Sequence, residues 1–314
     1  MYILKKTITN KDIFKEPKKD IPPPMWIRGL LVMTCTLVSF FHGRNDGQKG
    51  IGLVMLVLIA FLPHLFAINT EVDPFKLKNE VVTVDSIISK IDTNKLSSTE
   101  KESYAKVMKG TKSLSVIFDN KALNAKNLSV ETKLEIRKDV LNINKYSKKL
   151  MESDAVTLSE DDKNTLKNAT VGEKTPFFTL GNSNNGLSSL TDFAPQWVMW
   201  MIAISLGLGT MIGWKRIVVT VGEKIGKQHL TYAQGGSAEL VAAITIGLST
   251  AYKWPVSTTH VLSSGIAGSM VASKGIKNLQ GGTIKNIVMA WVLTLPVTML
   301  LSATLFYILR TILG

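Results

Sequence analysis

Apolar stretches at residues 29–41, 51–68, 195–214, 237–273 and 284–309 constrain this chain of 314 residues more than any other feature. A helix needs about 20 apolar residues to cross a bilayer core, and several of these stretches reach that length. Residues 51–68 contain no Asp, Glu, Lys or Arg and only one proline and one histidine. A soluble protein with buried helices would have little use for so long an uncharged run. The pattern predicts an all-α, polytopic membrane protein.

Residues 69–190 break the pattern, being rich in Lys, Asn, Ser and Thr. Within them Val81, Val84, Ile88 and Ile91 keep a heptad-like spacing, as do Ile136, Val140 and Ile143. That spacing predicts a soluble insert of two or three amphipathic helices arranged as a hairpin. Residues 181–190 (Gly-Asn-Ser-Asn-Asn-Gly-Leu-Ser-Ser-Leu) read as a flexible linker returning to the membrane. The insert serves either as a structural cap or as a binding surface for a partner or ligand.

The net charge of +13 is unevenly placed, because the insert is almost neutral. Basic residues gather in 1–28 (Lys5, Lys6, Lys11, Lys15, Lys18, Lys19, Arg28), in 214–235 (Lys215, Arg216, Lys224, Lys227) and in 274–285 (Lys274, Lys277, Lys285). Short basic segments beside apolar helices stay on the cytoplasmic side, whereas long loops cross regardless of charge. With 195–214 crossing once, the insert is placed outside. Residues 29–68 then cross an odd number of times, and a broken or re-entrant element around Gly43–Gly50 is expected there. Residues 237–273 form two short crossings or a re-entrant hairpin hinged at Lys253-Trp254-Pro255, and 284–309 cross outward. No basic stripe with interleaved aromatics is present, so nucleic acid is not an expected partner. Residues 1–28 lack an apolar core, so no signal peptide is read and the first apolar helix directs insertion. The single cysteine, Cys35, excludes an intrachain disulfide framework.

Two polar interruptions carry the chemistry. In Trp254-Pro255-Val256-Ser257-Thr258-Thr259-His260, proline stops one helix and three hydroxyls open the next. A helix N-terminus offers free N–H groups and a positive dipole end, which suits an oxyanion such as phosphate. Ordinary capping by Ser or Thr explains the same residues. In His42-Gly43-Arg44-Asn45-Asp46-Gly47-Gln48-Lys49-Gly50, Asp46 sits between apolar stretches. A carboxylate at membrane depth holds Na⁺ or a proton; alternatively it pairs with Arg44 or Lys49 in a charged turn. Glu239, opening an uncharged run to Thr250, is either a cation or proton site or a first-turn acid favoured by the helix dipole. His42, His64 and His260 have no metal-ligand spacing. No nucleophile elbow, phosphate loop or metalloprotease motif is present, so the chain is not expected to be an enzyme.

These residues resemble the inorganic phosphate transporter (PiT) family, in its bacterial low-affinity branch. Matching segments are 22–28 (Pro-Pro-Pro-Met-Trp-Ile-Arg), 39–50 with its Gly-x-Asn-Asp, and 255–260 with its Pro-Val-Ser-Thr-Thr-His. Residues 220–226 and 289–296 match as well. The resemblance implies a multi-pass protein of the bacterial inner membrane that takes up inorganic phosphate with H⁺ or Na⁺. The resemblance also allows phosphate to travel as a divalent-metal complex, and no bound cofactor is implied. Asn45 and Asp46 would belong to the cation and substrate centre, with Asn45 on phosphate. Ser257, Thr258 and Thr259 would cradle phosphate, and Asp46 and Glu239 would serve cation coupling. The family is built from two inverted repeats that each carry both motifs. This chain has one copy of each and resembles the C-terminal half.

The organisation expected is therefore a basic cytoplasmic segment at 1–28, a broken membrane segment at 29–68, an extracytoplasmic helical insert at 69–190 and a second membrane segment at 191–314. Its partners would be phosphate, membrane lipid, and the missing N-terminal repeat or another copy of the transporter. The alternative from a different class is a membrane-anchored sensor or interaction protein that works through the insert.

Overall fold

A computed structural model describes residues 6, 8, 11–17, 21–120, 128–172, 186–252, 254 and 256–313, with the side chains at 216, 217, 309, 310, 312 and 313 excepted. Among the described residues there are ten α-helices and no strand. The chain is an all-α membrane protein. Three of its described helices are long and apolar enough to cross a membrane, within Met25–Phe61, Gln196–Lys215 and Gly281–Ile308. Two compact units are distinguished, residues 1–48 with 203–314, and residues 49–202.

The first helix, α1 (Met25–Phe61), runs unbroken through Gly43, Gly47 and Gly50. The break expected around Gly43–Gly50 is absent. Each glycine weakens a helix by about 1 kcal/mol, but a backbone group left without a partner in hydrocarbon costs several kcal/mol. Continuity therefore wins. The stop comes at Leu62, because Pro63 disfavours helical backbone in the residue before it.

In the unit of residues 1–48 and 203–314, α1 packs along α8 (Tyr232–Ala251). The two run parallel, and Thr34 meets Glu239 while Asn45 meets Thr250. Both pairs are 205 positions apart, so the register is constant. The two pairs lie eleven residues apart along each helix, three full turns, which returns them to one face. Gly247 makes the close approach possible, because a Cβ there would come within 3.0 Å of the Phe41 ring. Helix α8 opens on a capping box in which Thr231 accepts from the Gln234 N–H and Gln234 accepts from the Thr231 N–H. A hairpin joins it to α9 (Thr258–Lys274), and Gly265 lies tight against Ala238. Of the expected hinge, Lys253 and Pro255 lie outside the described residues. Trp254 donates its N–H to the Ser249 carbonyl.

The three basic segments meet at one end of this unit. Ile13 is buried with Ile27 and Ala233. Gly226 bridges Leu279, and Lys227 donates its N–H to the Asn278 carbonyl at 2.8 Å. Lys274 pairs with Glu16 at 3.6 Å.

In the unit of residues 49–202, a short helix α2 (Pro63–Phe66) precedes α3 (Lys78–Ile88), α4 (Ser98–Asp119), α5 (Val130–Met151) and α6 (Glu160–Val171). The insert therefore has four principal helices where two or three were expected. Their common core includes Val81, Val84, Ile88, Ile91, Ile136, Val140 and Ile143, the residues that the heptad spacing singles out. Ser97, Ser129 and Ser159 cap α4, α5 and α6, and α6 stops at Gly172, whose φ is 78°. Residues 181–185 of the expected linker lie outside the described residues. The rest is no linker, because Leu187 and Leu190 are fully buried in this core. Asn69 donates its N–H to the Leu190 carbonyl at 2.9 Å, closing the insert's two ends. From α5, Lys133 donates to the His64 carbonyl at 2.8 Å, and Arg137 donates to the carbonyls of Ala67 and Thr191 at 3.1 and 3.4 Å. Two further helices, α7 (Gln196–Glu223) and α10 (Gly281–Leu313), complete the chain.

Candidate functional site

The face that α1 turns toward α8 repeats at helical spacing through Ile27, Leu31, Thr34, Phe41 and Asn45. Apolar residues fill most of it, so its few polar members need partners from the facing helix. Thr34 Oγ1 donates to Glu239 Oε2 at 2.5 Å. One repeat further, Asn45 Nδ2 donates to Thr250 Oγ1 at 3.2 Å. Asn45 is buried, and its Oδ1 has no partner among the described residues. A buried amide oxygen left open is costly unless something else occupies it.

Asp46 follows directly and faces α9. Its Oδ2 accepts from Thr258 Oγ1 at 3.4 Å. It also lies 3.5 Å from Nε2 of His42, one turn back on the same helix. The first turn of α9 starts at Ser257, whose hydroxyl accepts from the His260 N–H at 3.4 Å. Ser257 thus performs the ordinary capping that was one of its two readings. Thr258 is buried, while Ser257 and Thr259 are exposed on either side of it. The His260 ring lies against Trp291 with centroids 4.1 Å apart, which ties the start of α9 to α10.

The structure therefore brings Asp46 to Thr258 at the N-terminus of α9, while Asn45, the residue before Asp46, bonds Thr250 in the last turn of α8. The arrangement combines an anion-attracting helix end with two acceptors, a carboxylate and an amide oxygen, suited to a cation or a donor. Glu239 belongs to the other polar rung. Thr34 and Asp46 are twelve positions apart on α1, about 18 Å at 1.5 Å per residue, so Glu239 and Asp46 occupy separate levels. Among the described residues no cluster of three or more His, Cys, Asp or Glu side chains is arranged to hold a metal ion. A cavity of about 610 Å³ runs along the α8–α9 groove, lined by small residues such as Ser237, Ser264, Gly265 and Gly268. His260 reaches it, but Asn45 and Asp46 do not.

Thr34 and Thr250 are partners that sequence reasoning missed. The signal for them is the eleven-residue interval, since Thr34 precedes Asn45 and Glu239 precedes Thr250 by the same three turns.

The chain matches the phosphate transporter family over residues 5–302. It is 36% identical over 98% of its length to a low-affinity inorganic phosphate transporter of Buchnera aphidicola, covering 64% of that protein. Over 94% of its length it is 35% identical to the low-affinity inorganic phosphate transporter PitB of Escherichia coli, covering 60% of it. A probable low-affinity inorganic phosphate transporter of Bacillus subtilis is 43% identical over 38% of the chain. No solved structure matches. The chain spans about three-fifths of the length of the first two relatives. The extent of the match and the paired Asn45-Asp46 and Ser257-Thr258-Thr259 segments lead to one conclusion: this chain belongs to the phosphate transporter family.

Proposed function

We propose that this chain is one part of an inorganic phosphate transporter of the bacterial inner membrane, coupled to H⁺ or Na⁺. The observation that carries the reading is Asp46 accepting from Thr258 at the start of α9, with the neighbouring Asn45 buried and its Oδ1 without a partner among the described residues. Phosphate sits at that helix end, where backbone N–H groups and the hydroxyls of Ser257 and Thr259 offer donors without a fixed cation, and Thr258 joins them when its hydroxyl leaves Asp46. Asp46 takes the coupling cation beside it, so the two charges offset each other at membrane depth. Glu239, on its own rung with Thr34, acts as a second cation or proton site on the path. A divalent metal travelling with phosphate is a substrate in this scheme.

The relatives are longer than this chain. The complete transporter therefore includes either a second, N-terminal repeat carrying its own copies of both motifs or another copy of the chain, and alternating access arises from movement between the repeats.

Labelled phosphate uptake into proteoliposomes tests the reading. The chain is reconstituted alone and with an N-terminal portion from a full-length relative, under imposed Na⁺ or H⁺ gradients. Uptake that needs the second portion and follows one gradient supports a two-part symporter and identifies its ion. Uptake by the chain alone shows a self-assembling half. Absence of uptake in every arrangement sinks the proposal and leaves the insert as the working part of an interaction protein.

A further inference from the structure

The orientation of the Asn45 amide has a chemical consequence for what the site recognises. A threonine hydroxyl owns one proton. That of Thr250 is directed along its own helix, donating to the Ile246 carbonyl at 2.8 Å. Toward Asn45 it therefore presents a lone pair, which accepts from Nδ2 at 3.2 Å. With Nδ2 held there, Oδ1 turns the other way. It is buried without a partner among the described residues, in a residue only 5% exposed. An amide oxygen is an acceptor only, so the group that satisfies it must donate a hydrogen or carry positive charge.

We propose that Thr250 is a positioning residue that fixes Asn45 as an acceptor, so that the site recognises a tetrahedral oxyanion by its hydroxyl. At neutral pH inorganic phosphate keeps at least one P–OH, whereas sulfate, nearly identical in size and shape, keeps no proton. An acceptor facing the ligand rewards the first and leaves its own lone pairs against a bare oxyanion oxygen with the second. Discrimination of this kind is strong because the wrong ligand leaves a buried polar group unsatisfied. The inference rests on the phosphate reading above and deepens it. It gives Asn45 the opposite polarity from the donors at the start of α9, so the two sides of the site read different atoms of one ion.

Two measurements separate this inference from that reading. The first needs no transport. The full chain is labelled with ¹⁵N-asparagine in micelles, and the Asn45 side-chain signal is assigned by its loss in Asn45→Asp. That signal should move in Thr250→Val and stay in place in Thr250→Ser, which keeps the hydroxyl. A signal indifferent to Thr250→Val overturns the positioning role.

The second measurement is phosphate uptake by the assembled transporter, with sulfate as competitor. Thr250→Val should raise the phosphate KM about tenfold, the equivalent of one hydrogen bond, and let sulfate compete more effectively. Thr250→Ser should restore both. An unchanged phosphate-to-sulfate ratio with an altered cation dependence assigns Oδ1 to the coupling ion and overturns the hydroxyl assignment. Sulfate competing equally in the unsubstituted protein means that the amide presents its N–H groups, and also overturns it. Total absence of uptake removes the phosphate reading and the ligand assignment together, while the Asn45 signal still decides the role of Thr250.

Discussion

The unit built on α1, α8 and α9 and the insert of residues 69–190 place their polar side chains differently. In the insert, many hydroxyls and carboxylates work at helix ends: Ser97 with Glu100, Ser129 with the Thr132 N–H, and Ser159 with the Asp162 N–H. Its buried hydrophobic cluster draws on every principal helix of the insert, and the polar side chains buried there are few, Thr111 donating to Asp85 between two helices at 2.7 Å. Along α1 and α8 the balance shifts. The polar groups lie within the helices and bond across them, Thr34 to Glu239 and Asn45 to Thr250. Water satisfies much of a soluble helix, so the shortfall there is at its termini. A helix surrounded by hydrocarbon has no such help along its length, and any polar side chain in its middle needs a protein partner or a ligand. The comparison teaches where to look for function: in groups placed against the prevailing rule and not fully satisfied.

The largest effect should come from the least dispensable of these groups. Asp46→Asn is expected to abolish cation-driven uptake by the assembled transporter while membrane insertion and level stay normal. Full uptake by that variant would break the comparison at its functional end. The next effect belongs to the insert. Ile143 is fully buried against Gly110, and Ile143→Ala should destabilise the insert by about 2–5 kcal/mol. Limited proteolysis of the full chain would show early cleavage within 69–190. If cutting instead rises equally outside the insert, the two units do not unfold independently.

A smaller loss, about 1 kcal/mol, is expected for Ser97→Ala, because the N-terminus of α4 then lacks its reciprocal cap. Amide exchange in the first turn of α4 should quicken while the core stays protected. The smallest effect is a dependence on pH. Burial pushes the Asp139 carboxyl up from its ordinary range, with a hydrogen bond from Ser113 opposing it. A carboxyl raised in the folded state costs nothing below its unfolded pKa, penalises folding increasingly between its unfolded and folded values, and leaves a constant penalty above them. Asp139→Asn should therefore stabilise the insert slightly at neutral pH and leave stability unchanged in acid. A thermal melt across pH that runs parallel for both proteins would count against this account. Glu100 behaves in the opposite sense. Hydrogen bonds from Ser153 and Ser97 lower it, so its support is present at neutral pH and fades as pH falls.

Much of this organisation is legible in the residues. Apolar length gives the membrane class, and heptad spacing identifies the insert core at Val81, Val84, Ile136 and Ile143. Other features escape for physical reasons. Glycine-rich polar sequence at 43–50 suggests a break, but propensity loses to the need to keep backbone groups paired. Ser188 and Ser189 look like linker, yet both are buried, Asn144 donating to Ser188 Oγ and Asn69 to the Ser189 carbonyl. The candidate site is visible in type, at Asn45, Asp46 and Thr258, but Thr34 and Thr250 are ordinary threonines until the constant offset between two parallel helices pairs them.

The contacts that close the insert have a consequence for how the chain tolerates change. For a flexible loop on the order of 120 residues, bringing the ends together costs roughly 4 kcal/mol beyond a constant, and each doubling of length adds only about 0.6 kcal/mol. Here the ends are joined by Asn69 and Leu190, and Lys133 and Arg137 hold the backbone at His64, Ala67 and Thr191. The entropy of closure is met inside the insert by its own folding. Seen from either end, the intervening residues amount to a short, stiff link whose contour length scarcely matters. Related chains can thus lengthen, shorten or exchange this excursion with little thermodynamic consequence, provided that the two cations of α5 still find their three carbonyls.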